Sequence, residues 1–282
     1  MQKKLLSIMA GCLMVFSASA HAAKIADVVI IVDESGSMST EHAWLPGMVN
    51  SLNTALSGAG YTGVFGLFGF GKSGVGIGGR TLLNAGTAAQ FGTAAANLLT
   101  TGGTEDGYAG INFASTNYNF TTGSVRNYIL VTDEDRDILS GSTNTYASIL
   151  ALLTGQKALL NAVINNPFDC TGGGTGSVIG RNTGSGYRAD GSGGYNTCSA
   201  PSTGNGTGTT ETDYAALALA TNGAAWNLNV LRAGGNSAAS FTEAFVDIKL
   251  QEIINTGEVP EPGTYAMIGM GLAGLAYFRR KK

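Results

Sequence analysis

Residues Asp27–Met38 read DVVIIVDESGSM, and this stretch narrows the possible folds more than any other. Val28–Val32 are five consecutive β-branched residues. A strand with one face in water alternates apolar and polar side chains. A continuous apolar run marks a strand covered on both faces, as in a parallel sheet flanked by helices. The run breaks into Asp33-Glu34-Ser35-Gly36-Ser37. In open α/β sheets the carboxyl ends of the strands are where ligands bind. Here that end offers a carboxylate and two hydroxyls on alternate residues of a turn. All three are hard oxygen donors, suited to Mg²⁺, Ca²⁺ or Mn²⁺ rather than to zinc. Taken alone, Ser35 and Ser37 also suit a helix N-cap, and Asp133, further on, a strand-end cap.

Strand and helix patterns alternate along the chain. Leu45, Met48, Val49, Leu52 and Leu56 recur at helical spacing, with Ser39 or Thr40 as cap and Pro46 predicting a broken or late first turn. The Gly-punctuated GVFGLFGFG at 63–71 reads as a strand, 87–99 and 107–115 as helices, and 125–132 as a strand ending at Asp133. A helix is predicted over 146–153, a strand over 158–164, a helix over 214–220 and a strand over 226–231. Ser240 and Glu243 form a capping box that opens a helix over 240–254, with Phe241, Ala244, Phe245 and Ile248 on its apolar face. This alternation implies right-handed crossovers and a doubly wound, mostly parallel sheet. It is interrupted at 168–213, where glycine takes 13 of 46 positions. That segment reads as a structureless insertion near a sheet edge, either a binding loop or a solvated flap.

The spacing D-x-S-x-S after a buried strand resembles the metal-ion-dependent adhesion site of von Willebrand factor A (VWA) domains. Two further features match in order: Gly102-Gly103-Thr104, and the apolar Tyr128–Val131 followed by Thr132-Asp133. The resemblance implies a doubly wound α/β domain over 24–255. In it Asp33, Ser35, Ser37, Thr104 and Asp133 would hold a divalent cation, Mg²⁺ first, directly or through water. One coordination position would be left for a carboxylate offered by a protein partner. Glu105-Asp106, directly after the Thr, departs from the small or polar residues commoner in the family. Glu134, Asp135 and Asp137 either back the metal loop or form a solvated turn.

Both termini read as sorting signals. Lys3 and Lys4, the apolar 5–16 and Ala20-His21-Ala22 make residues 1–22 a secretory signal peptide. His21 and Cys12 would leave with it, so His42 is the one histidine expected in the mature chain. Cys170 and Cys198 then form an even pair in an exported protein, which reads as a disulfide. At the other end, Val259-Pro260-Glu261-Pro262 leads into an apolar 264–278, expected as a short transmembrane segment, and then Arg279-Arg280-Lys281-Lys282, which would stay cytoplasmic. This tail, 256–282, resembles the PEP-CTERM sorting signal of Gram-negative bacteria that make exopolysaccharide, which an exosortase processes. It implies export through the inner membrane to the envelope, surface or matrix.

Composition removes other classes. Only 12% of residues are charged, against 44% hydrophobic, and the net charge is −3, so nucleic acid is not expected as a partner. Residues 66–73 fit GxxxxGK[ST] and 74–79 fit GxGxxG, but neither opens a helix, and both read as a hairpin rather than a nucleotide site. One histidine offers no base for a nucleophilic serine, so a hydrolase is poorly supported, and no catalytic or cofactor-binding residues are assigned. The reading is a binding or adhesion module, with exopolysaccharide as a second candidate partner. The alternative is a matrix protein whose metal only stabilises the fold.

Overall fold

The computed structural model describes residues 24–71 and 79–257. The expected signal peptide, residues 72–78 of the expected Gly-rich hairpin and the apolar segment 264–278 lie outside the described residues. No helix among the described residues is long and apolar enough to cross a membrane.

The first strand, β1 (Lys24–Asp33), lies mid-sheet, parallel to both β2 (Tyr61–Phe70) and β4 (Val125–Thr132). β5 (Leu159–Ile164) follows parallel to β4, and the short β10 (Ala225–Asn227) parallel to β5. β3 (Arg80–Gly86) closes the other side antiparallel to β2. The order 3-2-1-4-5-10 is that of a doubly wound sheet with β10 in the sixth place.

Pleating sends Val28, Ile30 and Val32 to one face and Val29 and Ile31 to the other, which explains the unbroken apolar run. The first set packs under α1 (Ser39–Gly58), α2 (Ala88–Ala95) and α7 (Gly235–Gly257) through Leu45, Met48, Phe91, Phe241 and Phe245. The second packs under α3 (Gly107–Asn117), α4 (Tyr146–Gly155) and α5 (Ala216–Ala220) through Tyr108, Ile111, Ile149 and Leu217.

Four sequence expectations need correction. The Gly-rich 168–213 is not structureless. It forms β6 (Phe168–Thr171), β7 (Val178–Arg181), β8 (Gly186–Ala189) and β9 (Tyr195–Thr203), which extend the sheet antiparallel from β10 in the order 7-8-9-6. Cys170 and Cys198 are disulfide-bonded, joining β6 to β9. The Arg188 guanidinium donates to the carbonyls of Gly172, Gly176 and Cys170, supplying backbone partners that short glycine-rich strands lack. Tyr187 stacks on the buried Trp226, with ring centroids 5.6 Å apart, and this seats the insertion on the core.

The strand expected over 226–231 ends at Asn227, whose side chain accepts the Asn229 N–H at 3.1 Å and starts α6 (Leu228–Arg232). The last helix begins at Gly235 rather than Ser240. Gly234 (φ +70°) and Gly235 (φ +52°) turn the chain out of α6, and the Ala-rich residues that follow are already helical, so Ser240 is buried inside the helix and caps nothing. Finally, α1 runs through Pro46, and neither Ser39 nor Thr40 caps it. Its buried stripe of Leu45, Met48, Val49, Leu52 and Leu56 outweighs a proline that costs about 3 kcal/mol in a helix interior.

Candidate metal centre

Four of the five expected ligands meet at the carboxyl ends of β1 and β4. Asp33 is the last residue of β1 and is fully buried. Its Oδ1 accepts the Ser35 N–H at 2.7 Å, closing the turn that aims both serines. Its Oδ2 accepts the Thr132 hydroxyl at 2.8 Å from the end of β4. The Ser35 and Ser37 hydroxyl oxygens lie 3.3 Å apart, and Ser37 donates to Asp133 Oδ1 at 2.9 Å.

The loop bearing the fifth is drawn in by backbone contacts. Ser35 and Gly102 form a parallel bridge, and the Thr101 and Gly102 N–H groups both donate to the Glu34 carbonyl. Thr104 lies two residues beyond that bridge and is exposed, with no hydrogen bond from its hydroxyl to the other four among the described residues. Gly71, at φ +81°, ends β2 against this site. A Cβ there would sit 3.0 Å from Asp33 Oδ1, so both its backbone angle and its space favour glycine.

Several functional neighbours carried no sequence signal. Glu34, fully buried, makes an ion pair with Arg80 and accepts the Leu99 N–H at 2.8 Å, fastening the loop that leads to Thr104. Arg136 binds Asp106 at 2.7 Å and holds the loop after Asp133. Arg232, from α6, reaches Asp133 Oδ2 at 2.7 Å and the buried Glu41 at 2.5 Å. Each joins residues 30 to 191 positions apart, which no local pattern reveals. His42 donates its Nε2–H to the Asp33 carbonyl at 2.7 Å. Of the ambiguous acidic residues, Glu105 and Asp106 are buried whereas Glu134 and Asp137 are exposed.

The electrostatics of the site resist accumulated negative charge. Burial pushes the Asp33 carboxyl up to about 6, against the lowering effect of its Ser35 and Thr132 hydrogen bonds, with a smaller push from Asp133. Burial, then the nearby Asp33 and Asp137, push Glu105 up to about 7. A cation placed among these oxygens would reverse both effects.

The donor chemistry fits a hard divalent ion. Oxygens on adjacent corners of an octahedral shell with ligands at about 2.1 Å stand about 3 Å apart. The Ser35–Ser37 and Ser37–Asp133 separations of 3.3 and 2.9 Å match that edge. Only two carboxylates are in the set, and among the described residues no group of three or more His, Cys, Asp or Glu is gathered as ligands. Such a site depends on its hydroxyls as well as its charges.

Comparison with known proteins identifies the C-terminal tail. Residues 258–281 match the PEP-CTERM protein-sorting motif. That motif marks exported proteins of Gram-negative bacteria and implies processing by an exosortase. No curated protein matches the sequence. Among solved structures, the chain is similar to an aerotolerance-related membrane protein from Bacteroides fragilis, at 16% identity over 82% of this chain and 98% of that one, with a TM-score of 0.46. It is also similar to the VWA domain of SpRpn10, at 12% identity over 49% and 74%, with a TM-score of 0.38. A third is the pilus adhesin SpaC from Lactobacillus rhamnosus GG, at 19% identity over 50% of this chain and a TM-score of 0.38. The match spans about a quarter (24%) of the length of that adhesin.

Proposed function

We propose that this exported domain is a binding module, not an enzyme, that recognises a protein ligand through a divalent cation at the cell envelope or in its matrix. Asp33, Ser35, Ser37, Thr104 and Asp133 hold the ion, Mg²⁺ first, and a carboxylate of the partner completes its shell. The observation that carries this reading is the convergence of Asp33, Ser35, Ser37 and Asp133, from two loops 96 residues apart, into one oxygen cluster at the ligand-binding edge of the sheet. Asp33 and Asp133 supply the charge, and the cation supplies an electrophilic contact for the partner. Thr132 orients Asp33, and the Ser35 turn keeps its Oδ1 in place.

The test is capture of envelope proteins from the producing bacterium on the immobilised protein, in Mg²⁺ and in chelator, with the parent and with Asp33→Asn. Capture by the parent alone, and only with Mg²⁺, supports the reading. Capture that persists in chelator, while the melting temperature falls, favours the matrix protein with a structural ion. Capture and melting that both ignore Mg²⁺ would remove the cation altogether.

A further inference from the structure

Arg232 joins three segments that the cation site needs. Its Nε donates to Glu41 Oε1 at 2.5 Å, and its Nη2 donates to Asp133 Oδ2 at 2.7 Å and to the Ser37 carbonyl at 3.2 Å. One side chain from α6 thus ties α1, the D-x-S-x-S loop and the loop after β4. Glu41 is fully buried, and its Oε2 has no hydrogen-bond partner among the described residues. A buried carboxylate with one oxygen unsatisfied is expensive unless a charge holds it. Arg232 is that charge. Glu34 is paired with Arg80 and Asp106 with Arg136, so neither of those arginines serves Asp133 or Glu41.

Two carboxylates therefore share one guanidinium, and the pair keeps a net negative charge. Asp133 points Oδ1 at Ser37, inside the oxygen cluster, and Oδ2 at Arg232, outside it. The guanidinium fixes which oxygen faces the cluster. It also engages charge that an ion would otherwise use alone.

We propose that Arg232 is the resident counter-ion of the site: it holds Asp133 and Glu41 in place before an ion arrives, and it weakens the ion's hold by competing for Asp133. The cation site is thereby kept assembled when empty and kept readily exchangeable when filled. This rests on the reading of the Asp33–Asp133 cluster as a cation site.

Titration calorimetry with Mg²⁺ on the parent, Arg232→Gln and the double variant Glu41→Gln/Arg232→Gln tests it, alongside thermal melts with Mg²⁺ and with chelator. The double variant removes the buried carboxylate together with its partner, so it folds even where Arg232→Gln alone does not. It also keeps the summed charge of the four groups Asp33, Asp133, Glu41 and Arg232, so a change in affinity reports the freed Asp133 rather than net charge. The expected result is Mg²⁺ binding about tenfold tighter in the double variant, the scale of one hydrogen bond to a charged group, here the Arg232–Asp133 contact that the ion no longer competes with. Its melting temperature should also rise further on adding Mg²⁺ than the parent's does. A double variant that binds Mg²⁺ as the parent does, or more weakly, overturns the counter-ion role while leaving the cation site standing. A parent that binds no Mg²⁺ overturns the cation site itself, and the counter-ion with it.

Discussion

Replacing Asp33 by asparagine should make the empty protein more stable at neutral pH while removing its affinity for cations. The side chains are nearly isosteric. Asparagine can present its carbonyl oxygen to the Ser35 N–H and its amide to the Thr132 oxygen, so both contacts of Asp33 are kept in altered form. What is lost is a buried charge. The displacement of the Asp33 pKa from its ordinary 3.8 to about 6 corresponds to about 3 kcal/mol. The sign follows from proton linkage. The folded state holds this proton more tightly than the unfolded chain, so the associated stability is complete below pH 3.8 and is lost as the pH rises through about 6. At pH 7.5 the ionised carboxylate therefore weighs against the empty fold, and Asp33→Asn relieves it. Urea denaturation in chelator should give the variant a gain of up to about 3 kcal/mol at pH 7.5, shrinking towards zero near pH 4. Cation binding moves the other way. Loss of groups that merely support a ligand costs 10–100-fold in metal affinity, so loss of a ligand carboxylate should cost about 100-fold or more. Destabilisation of the variant at pH 7.5 in chelator would mean that the buried Asp33 charge does not oppose folding, and parental Mg²⁺ affinity would mean that Asp33 does not hold the ion.

Three further outcomes are expected. Ser35→Ala removes a neutral donor and leaves both carboxylates, so calorimetry should show a smaller loss of Mg²⁺ affinity than for Asp33→Asn. The double variant Cys170→Ser/Cys198→Ser opens a link across 28 residues and should lose about 3–4 kcal/mol in denaturant titrations, with Mg²⁺ affinity unchanged because β6 and β9 lie at the far edge of the sheet from β1. Intact-mass measurement of protein from the producing bacterium's envelope and medium should find a chain lacking about 20 C-terminal residues, because residues 258–281 match a sorting motif that implies processing by an exosortase. A species still carrying Arg279–Lys282 and confined to inner membranes would mean a permanent anchor.

The parallel core was legible because burial on both faces leaves an unbroken apolar run rather than an alternating one. Val28–Val32 and Tyr128–Val131 announce central strands, and Asp33 and Asp133 mark their carboxyl ends. Long helices announced themselves by apolar spacing, as Leu45 to Leu56 did through Pro46. The insertion was not legible. Its strands are four to nine residues long, and their order depends on Trp226, Arg188 and a disulfide rather than on local propensity. The boundary at Ser240 misled because a capping-box pattern says nothing about a helix already begun by Gly234-Gly235. The proximity of Asp33, Ser35, Ser37 and Asp133 could be expected from their places after β1 and β4, but the groups that support them could not. Glu34–Arg80 and Glu41–Arg232–Asp133 are pairings across the fold, and a lone arginine in a sequence does not indicate which carboxylate it will meet.

Asp33, Ser35, Ser37, Thr104 and Asp133 are proposed to form a divalent-cation site on a doubly wound sheet. Titration of the purified, chelator-stripped protein with Mg²⁺ and Mn²⁺ in a calorimeter at pH 7.5 tests it most directly. One saturable site per chain is expected for each ion, abolished by Asp33→Asn and weakened by Thr104→Ala. No heat of binding for either ion, or a site that survives Asp33→Asn unchanged, would contradict it.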